Sequence, residues 1–103
     1  MSFFEPISGA DFDEKLEKAR RTQGAMIIDV RSAAERAAGY IPGAVHIPLD
    51  QIPVLDADKN TPMFLYSRSG QQSLSGCREL GRLGFTDVTN LGGILDYKGP
   101  LEK

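Results

Sequence analysis

The sequence predicts an α/β fold, in which a mostly parallel five-stranded sheet is covered on both faces by helices. Two observations carry this. Short strand-like runs at residues 25–28, 44–47, 63–66 and 87–91 alternate with segments whose apolar residues recur at helical spacing. Glycine and proline mark the joints between them, at Gly24, Gly39, Pro42-Gly43 and Gly84. Strands and helices in alternation bury a parallel sheet between helical layers.

Residues 3–7 read as a short edge strand, confined to an edge or a strand end by Pro6. Ser8 is placed to cap the first helix, with Asp11 at the third position of a capping-box variant. Phe12, Leu16 and Ala19 line one face of that helix, and Lys15, Lys18, Arg20 and Arg21 put positive charge toward its C-terminal end, where the dipole favours cations. Residues 25–28 form a central strand that ends at Asp29-Val30-Arg31. Ser32 can cap a short helix over 33–38, and Arg31 is four residues from Glu35 and can pair with it. A third strand covers 44–47, one helical turn falls within 49–55, and a polar loop leads to the strand at 63–66. The helix that follows carries Leu74, Cys77, Leu80, Gly81 and Leu83 on its apolar face. After Gly84 comes the last strand, then Gly92-Gly93 as a turn that allows positive φ, and a final helical turn over 94–97.

The chemistry is expected at the junction after residue 66. Apolar Met63-Phe64-Leu65-Tyr66 gives way at once to Ser67-Arg68-Ser69-Gly70-Gln71-Gln72-Ser73, and a helix follows. A strand, a tight loop and a helix gather free backbone N–H groups and the positive end of a helix dipole around one point. Small side chains with Gly70 let the loop curl into a nest of amides, and Arg68 adds a full positive charge. The loop therefore reads as an anion cradle centred on Ser67. The plainer alternative is a polar connection with Ser69 as helix N-cap.

Other residues offer less. A Ser67-His46-Asp29 triad lacks the G-x-S-x-G elbow, and His46 falls inside a strand. Cys77 reads as a small buried apolar residue, and Asp29 with Arg31 as a fold-stabilising pair. One cysteine excludes an internal disulfide, and one cysteine with one histidine gives no expectation of a metal or cofactor.

Length and composition set the class. The 103 residues suffice for one domain, 1–103, that buries roughly two thirds of its unfolded surface. With 41% hydrophobic and 25% charged residues the chain is an ordinary globule rather than a disordered polyelectrolyte. A net charge of −2 and the lack of any basic run argue against nucleic acid or an anionic membrane as partner. The opening Met1-Ser2-Phe3-Phe4-Glu5 has no secretory pattern and no apolar run is long enough to span a bilayer, so a cytoplasmic domain is the expectation.

Three ordered segments resemble the rhodanese-homology domain, the single-domain sulfurtransferase module. The first is Asp29-Val30-Arg31 with Glu35, then Gly39-Tyr40-Ile41-Pro42-Gly43-Ala44 and Ile47-Pro48. It is similar to the family's D-V-R-x-x-x-E…G-H-I-P-G-A-x-x-I-P signature, with Tyr40 where histidine is usual. The second is the strand and loop from Met63 to Ser73. The third is Asn90-Leu91-Gly92-Gly93 with Tyr97, at a position where many members carry tryptophan.

The resemblance implies a rhodanese-like three-layer domain and a persulfide mechanism. A cysteine thiolate takes the outer sulfur of thiosulfate or a similar anionic donor and passes it to cyanide or a thiol, with a protein partner also possible. In active members that cysteine is the first loop residue, and here the position is Ser67. A serine cannot form a persulfide, and without a strong base its hydroxyl stays protonated, so the chain as written is expected not to turn over sulfur. Two origins fit: a natural member that keeps the cradle only to bind an anion or an acidic partner segment, or replacement of a cysteine. Gln72 departs from members that carry a basic residue near the end of the loop, leaving Arg68 and the backbone amides to hold the anion. The related phosphatase and arsenate reductase branch has a longer C-x5-R loop whose arginine would have to stand at Ser73.

Overall fold

The computed structural model describes residues 9–103. Four parallel strands, β1 (Met26–Asp29), β2 (Val45–His46), β3 (Met63–Ser67) and β4 (Val88–Gly93), form one sheet in the order β2-β1-β3-β4. The helices are α1 (Gly9–Arg21), α2 (Ala33–Ala38) and α3 (Gln71–Arg82), with 3-10 turns at Leu49–Val54 and Ile94–Asp96. The sheet thus has four strands among the described residues rather than five. The expected edge strand at 3–7, and Ser8 as cap, lie outside the described residues.

Side-chain alternation along the strands divides the core into two layers. Ile27, Phe64, Tyr66 and Leu91 pack with Phe12, Leu16 and Ala19 of α1. Ile28, Met63 and Leu65 face the other way, onto Leu80, Phe85 and Ile52. β3, at the centre, is buried at every residue, as a strand covered on both faces must be.

The face α3 buries differs from the expected one. Ser73, Gly76 and Leu80 are its buried residues, whereas Leu74 and Gly81 are exposed. Gly76 is the reason: a β-carbon there would stand 2.9 Å from Leu65 Cδ2, so the helix lies against β3 on its smallest residues. Close approach, not bulk, sets the rotation of this helix.

At the carboxyl end of β1 a buried polar cluster joins the strands. Arg31 donates from Nη2 to Asp29 Oδ2 at 2.8 Å and from Nε to Asp29 Oδ1 at 3.0 Å. The Tyr66 hydroxyl donates to Asp29 Oδ2 at 2.8 Å and accepts from the Ile41 amide at 3.2 Å. Burial pushes the Tyr66 hydroxyl far above its ordinary pKa, so it acts as a neutral donor. Arg31 therefore pairs with Asp29, as one expectation held, and not with Glu35. The Glu35 carboxylate instead completes a capping box with Ser32 at the start of α2.

Among the described residues no helix is long and apolar enough to cross a membrane.

Candidate functional site

Ser67 is the last residue of β3, and the chain turns from it into α3 through Arg68, Ser69 and Gly70. Its hydroxyl oxygen accepts the backbone N–H of Gly70 at 3.0 Å and of Ser73 at 3.1 Å. Two amides of the loop therefore converge on residue 67, at the positive end of a twelve-residue helix. Gly70, not Ser69, is the N-cap, with φ +96° and no side-chain cap. That left-handed turn aims the Gly70 amide back at the strand end, and glycine adopts it without steric cost.

A third partner orders the hydroxyl. Ser73 Oγ lies 3.0 Å from Ser67 Oγ, 3.1 Å from the Gly70 carbonyl and 2.7 Å from Asn90 Oδ1. A hydroxyl has one proton to give. The shortest contact assigns the Ser73 proton to Asn90, so the Ser67 proton points at Ser73 Oγ. Asn90 also donates from Nδ2 to the Gly70 carbonyl at 3.1 Å and accepts the Gly92 amide at 3.1 Å. One side chain of β4 thus fastens the loop where it enters α3, at Gly70 and Ser73.

β4 approaches the loop because its last residues carry no side chains. The β3–β4 register slips so that Leu65 faces Asn90 but Tyr66 faces Gly92, a bulge of one residue. A β-carbon on Gly93 would stand 2.6 Å from the Arg68 carbonyl oxygen. Gly92 has the positive φ expected of a turn, but Gly93 does not, and both belong to the strand end rather than to a separate turn.

Ser67 is only 1% exposed. It forms the floor of a cavity of about 230 Å³ whose walls include Arg68, Ser69, Gln71, Gln72 and Glu35. A reactant must enter this cavity to meet residue 67. Arg68, Ser69, Gln71 and Gln72 are exposed around the opening, while Gly70 and Ser73 are buried and act through backbone and hydroxyl.

The structure brings Ser67, Arg68, Ser69, Gln71 and Gln72 of the loop named from sequence around one cavity, with Gly70 and Ser73 bonded to Ser67. Two members were missed. Glu35 comes from α2 to the same cavity, and Asn90 supports it from β4. Both fell within motif segments, yet nothing local in the sequence shows that separate elements meet at this strand end. Their places in the first and third motif segments were the signal the sequence offered.

The remaining candidates fall away from residue 67. His46 Nε2 lies 2.8 Å from the Arg31 carbonyl, a local contact that is no part of a triad. Cys77 is half-buried against the second core layer, and burial pushes its thiol up to about 11.

A family model described as the rhodanese-like domain matches residues 11–99. A sulfurtransferase of Allochromatium vinosum is 32% identical over 94 residues, covering 88% of each chain. The thiosulfate sulfurtransferase GlpE of Pseudomonas fluorescens is 36% identical over 80 residues, covering 74% of this chain and 72% of its own. The crystal structure of a rhodanese-like domain protein from Staphylococcus aureus superposes with a TM-score of 0.78 at 34% identity, covering 88% of this chain and 92% of that one.

Proposed function

The chain belongs to the rhodanese-like domain family, and from that premise we propose that residue 67 is the sulfur-carrying position of a single sulfurtransferase domain, residues 1–103. A serine there holds the chain inactive. The observation that carries this is the convergence of the Gly70 and Ser73 amides on Ser67 Oγ. Donors fixed around one atom stabilise negative charge on it, which lowers the pKa of a thiol and holds a persulfide anion.

With cysteine at 67, the thiolate attacks the outer sulfur of a thiosulfate-type donor. A new S–S bond forms to the protein, the S–S bond of the donor breaks, and sulfite leaves with its electron pair. The donor suits a small cavity with amide donors and Arg68 at its mouth, and a relative named for thiosulfate supports that class. Arg68, Ser69, Gly70, Gln71, Gln72 and Ser73 form the anion-binding loop in this reading. Cyanide or a thiol then takes the sulfur. A reducing compartment such as the cytoplasm suits a chain with a carrier thiol at 67 and a second, unpaired thiol at Cys77.

The test is Ser67→Cys treated with thiosulfate. Mass spectrometry is expected to find one extra sulfur atom on the peptide containing position 67, and cyanide to remove it. A variant that binds thiosulfate yet never gains sulfur ends the sulfur-transfer assignment.

Ser67 itself favours a second reading, a binding module that keeps the cradle without the chemistry. Its Ser67→Cys variant stays inactive, while Arg68→Ala weakens binding of an anion or an acidic peptide. Unaltered binding by Arg68→Ala removes this alternative.

A further inference from the structure

A second, larger hollow of about 420 Å³ adjoins the cavity over Ser67, and Glu35 and Gln72 line both. Its apolar wall is Val30, Pro48 and Leu49. These residues follow β1 and β2, and they are joined to the site by backbone: Val30 N–H donates to the Tyr66 carbonyl at 3.2 Å, and Leu49 N–H to the Val30 carbonyl at 3.1 Å. The hollow therefore opens at the same end of the sheet as residue 67.

Its charge is opposite to what a small dianion needs. Glu35 and Asp50 both line it. The cation in the wall, Arg31, is tied by three side-chain hydrogen bonds to buried Asp29, which fixes its guanidinium on that carboxylate. Arg68 lines the cavity over Ser67 and not this one. The two spaces thus differ in chemistry: amide donors and Arg68 stand over residue 67, apolar surface and Asp50 line the hollow beside it, and Glu35 lies on the boundary of both.

We infer that the larger hollow seats the sulfur acceptor, and that Glu35 and Asp50 select a small organic thiol that is neutral or cationic over one that carries a carboxylate. This rests on the assignment of residue 67 as sulfur carrier. The acceptor thiolate attacks the outer sulfur of the persulfide carried by the Ser67→Cys variant. A bond forms between acceptor sulfur and transferred sulfur, and the protein S–S bond breaks with its electron pair returning to the protein thiolate. The acceptor leaves as its persulfide, with no other oxidant or reductant involved.

Two measurements test it. In the first, thiosulfate-loaded Ser67→Cys is mixed with 2-aminoethanethiol, 2-mercaptoethanol or mercaptoacetate at low salt. Rates are divided by each thiol's thiolate fraction and by its rate with a free alkyl persulfide. The cationic thiol is expected to exceed the anionic one by about tenfold, as two nearby carboxylates predict. Added salt shrinks the ratio, and Glu35→Gln with Asp50→Asn brings it to about twofold or less. Glutamine at 35 still completes the α2 capping box, so the charge is removed without removing the cap. In the second, the unaltered chain is titrated with the same thiols and followed by amide NMR. The cationic thiol is expected to shift the Val30, Leu49 and Asp50 signals, and mercaptoacetate to leave them in place.

A loaded variant that transfers to all three thiols at equal corrected rates, or faster to mercaptoacetate, overturns the acceptor assignment alone. So does a titration in which those signals do not move. Failure of the variant to load at all removes the sulfur-carrier assignment, and this inference with it.

Discussion

Gly93 lies so close to Arg68 that a β-carbon on it would stand 2.6 Å from the Arg68 carbonyl oxygen and 2.8 Å from Ser69 Cα. Both contacts are backbone, so neither can swing away as a side-chain tip could. Gly93→Ala is expected to push the loop off β4 at a cost of about 1–3 kcal/mol. In the Ser67→Cys background it should also slow sulfur loading. Urea unfolding and loading kinetics read the two effects, and a variant with unchanged values in both shows the loop to be more compliant than this contact allows.

Ser73 Oγ stands 3.0 Å from Ser67 Oγ. When a thiolate occupies position 67, that hydroxyl can turn its proton from Asn90 toward the sulfur. In the Ser67→Cys background, Ser73→Ala is therefore expected to raise the thiol pKa by about one unit, because a hydrogen bond to a charged group contributes about 1.5–3 kcal/mol. The pH dependence of iodoacetamide alkylation at position 67 measures it. An unmoved pKa means that the two amides alone set the acidity.

Asp29 is buried with Arg31 and lies 3.7 Å from Arg36 Nη1. Asp29→Asn leaves these guanidinium groups without their counter-charge and is expected to cost about 3–5 kcal/mol in urea unfolding.

The same carboxylate gives an acid limb to stability. Burial raises its pKa, but hydrogen bonds from Arg31 and Tyr66 and the Arg31 charge outweigh this and hold it below 3.8. A group whose folded pKa is depressed contributes fully above its unfolded pKa of about 3.9, and the contribution fades as pH falls through the lower folded value. Stability measured by urea is expected to fall below about pH 4, and Asp29→Asn to flatten that slope. Equal slopes would assign the acid limb to other carboxylates.

Cys77 is the chain's one thiol, and burial pushes it up to about 11. At pH 8 only about a thousandth is thiolate, so iodoacetamide is expected to leave the folded chain unlabelled while the urea-unfolded chain reacts readily. Rapid labelling of folded protein would show that the second core layer opens at α3.

Sequence alone determined that this chain alternates parallel strands with helices and that a tight loop of small residues joins β3 to α3. Strand period, helix spacing and the change from apolar to small residues are local, and local patterns can be read in one dimension. The α3 face was misjudged because Leu74 looks like core, whereas the need for β3 to touch the helix at Gly76 is invisible until the two are packed. Arg31 was within reach of both Asp29 and Glu35, and only folding gave it the first and gave the second to Ser32. Tertiary structure decided how the loop is held, by Asn90 and Gly93 of β4, and that Glu35 shares the cavity with residue 67. The reason is that distances between separate elements come from packing and register, and neither is written at any single stretch of the chain.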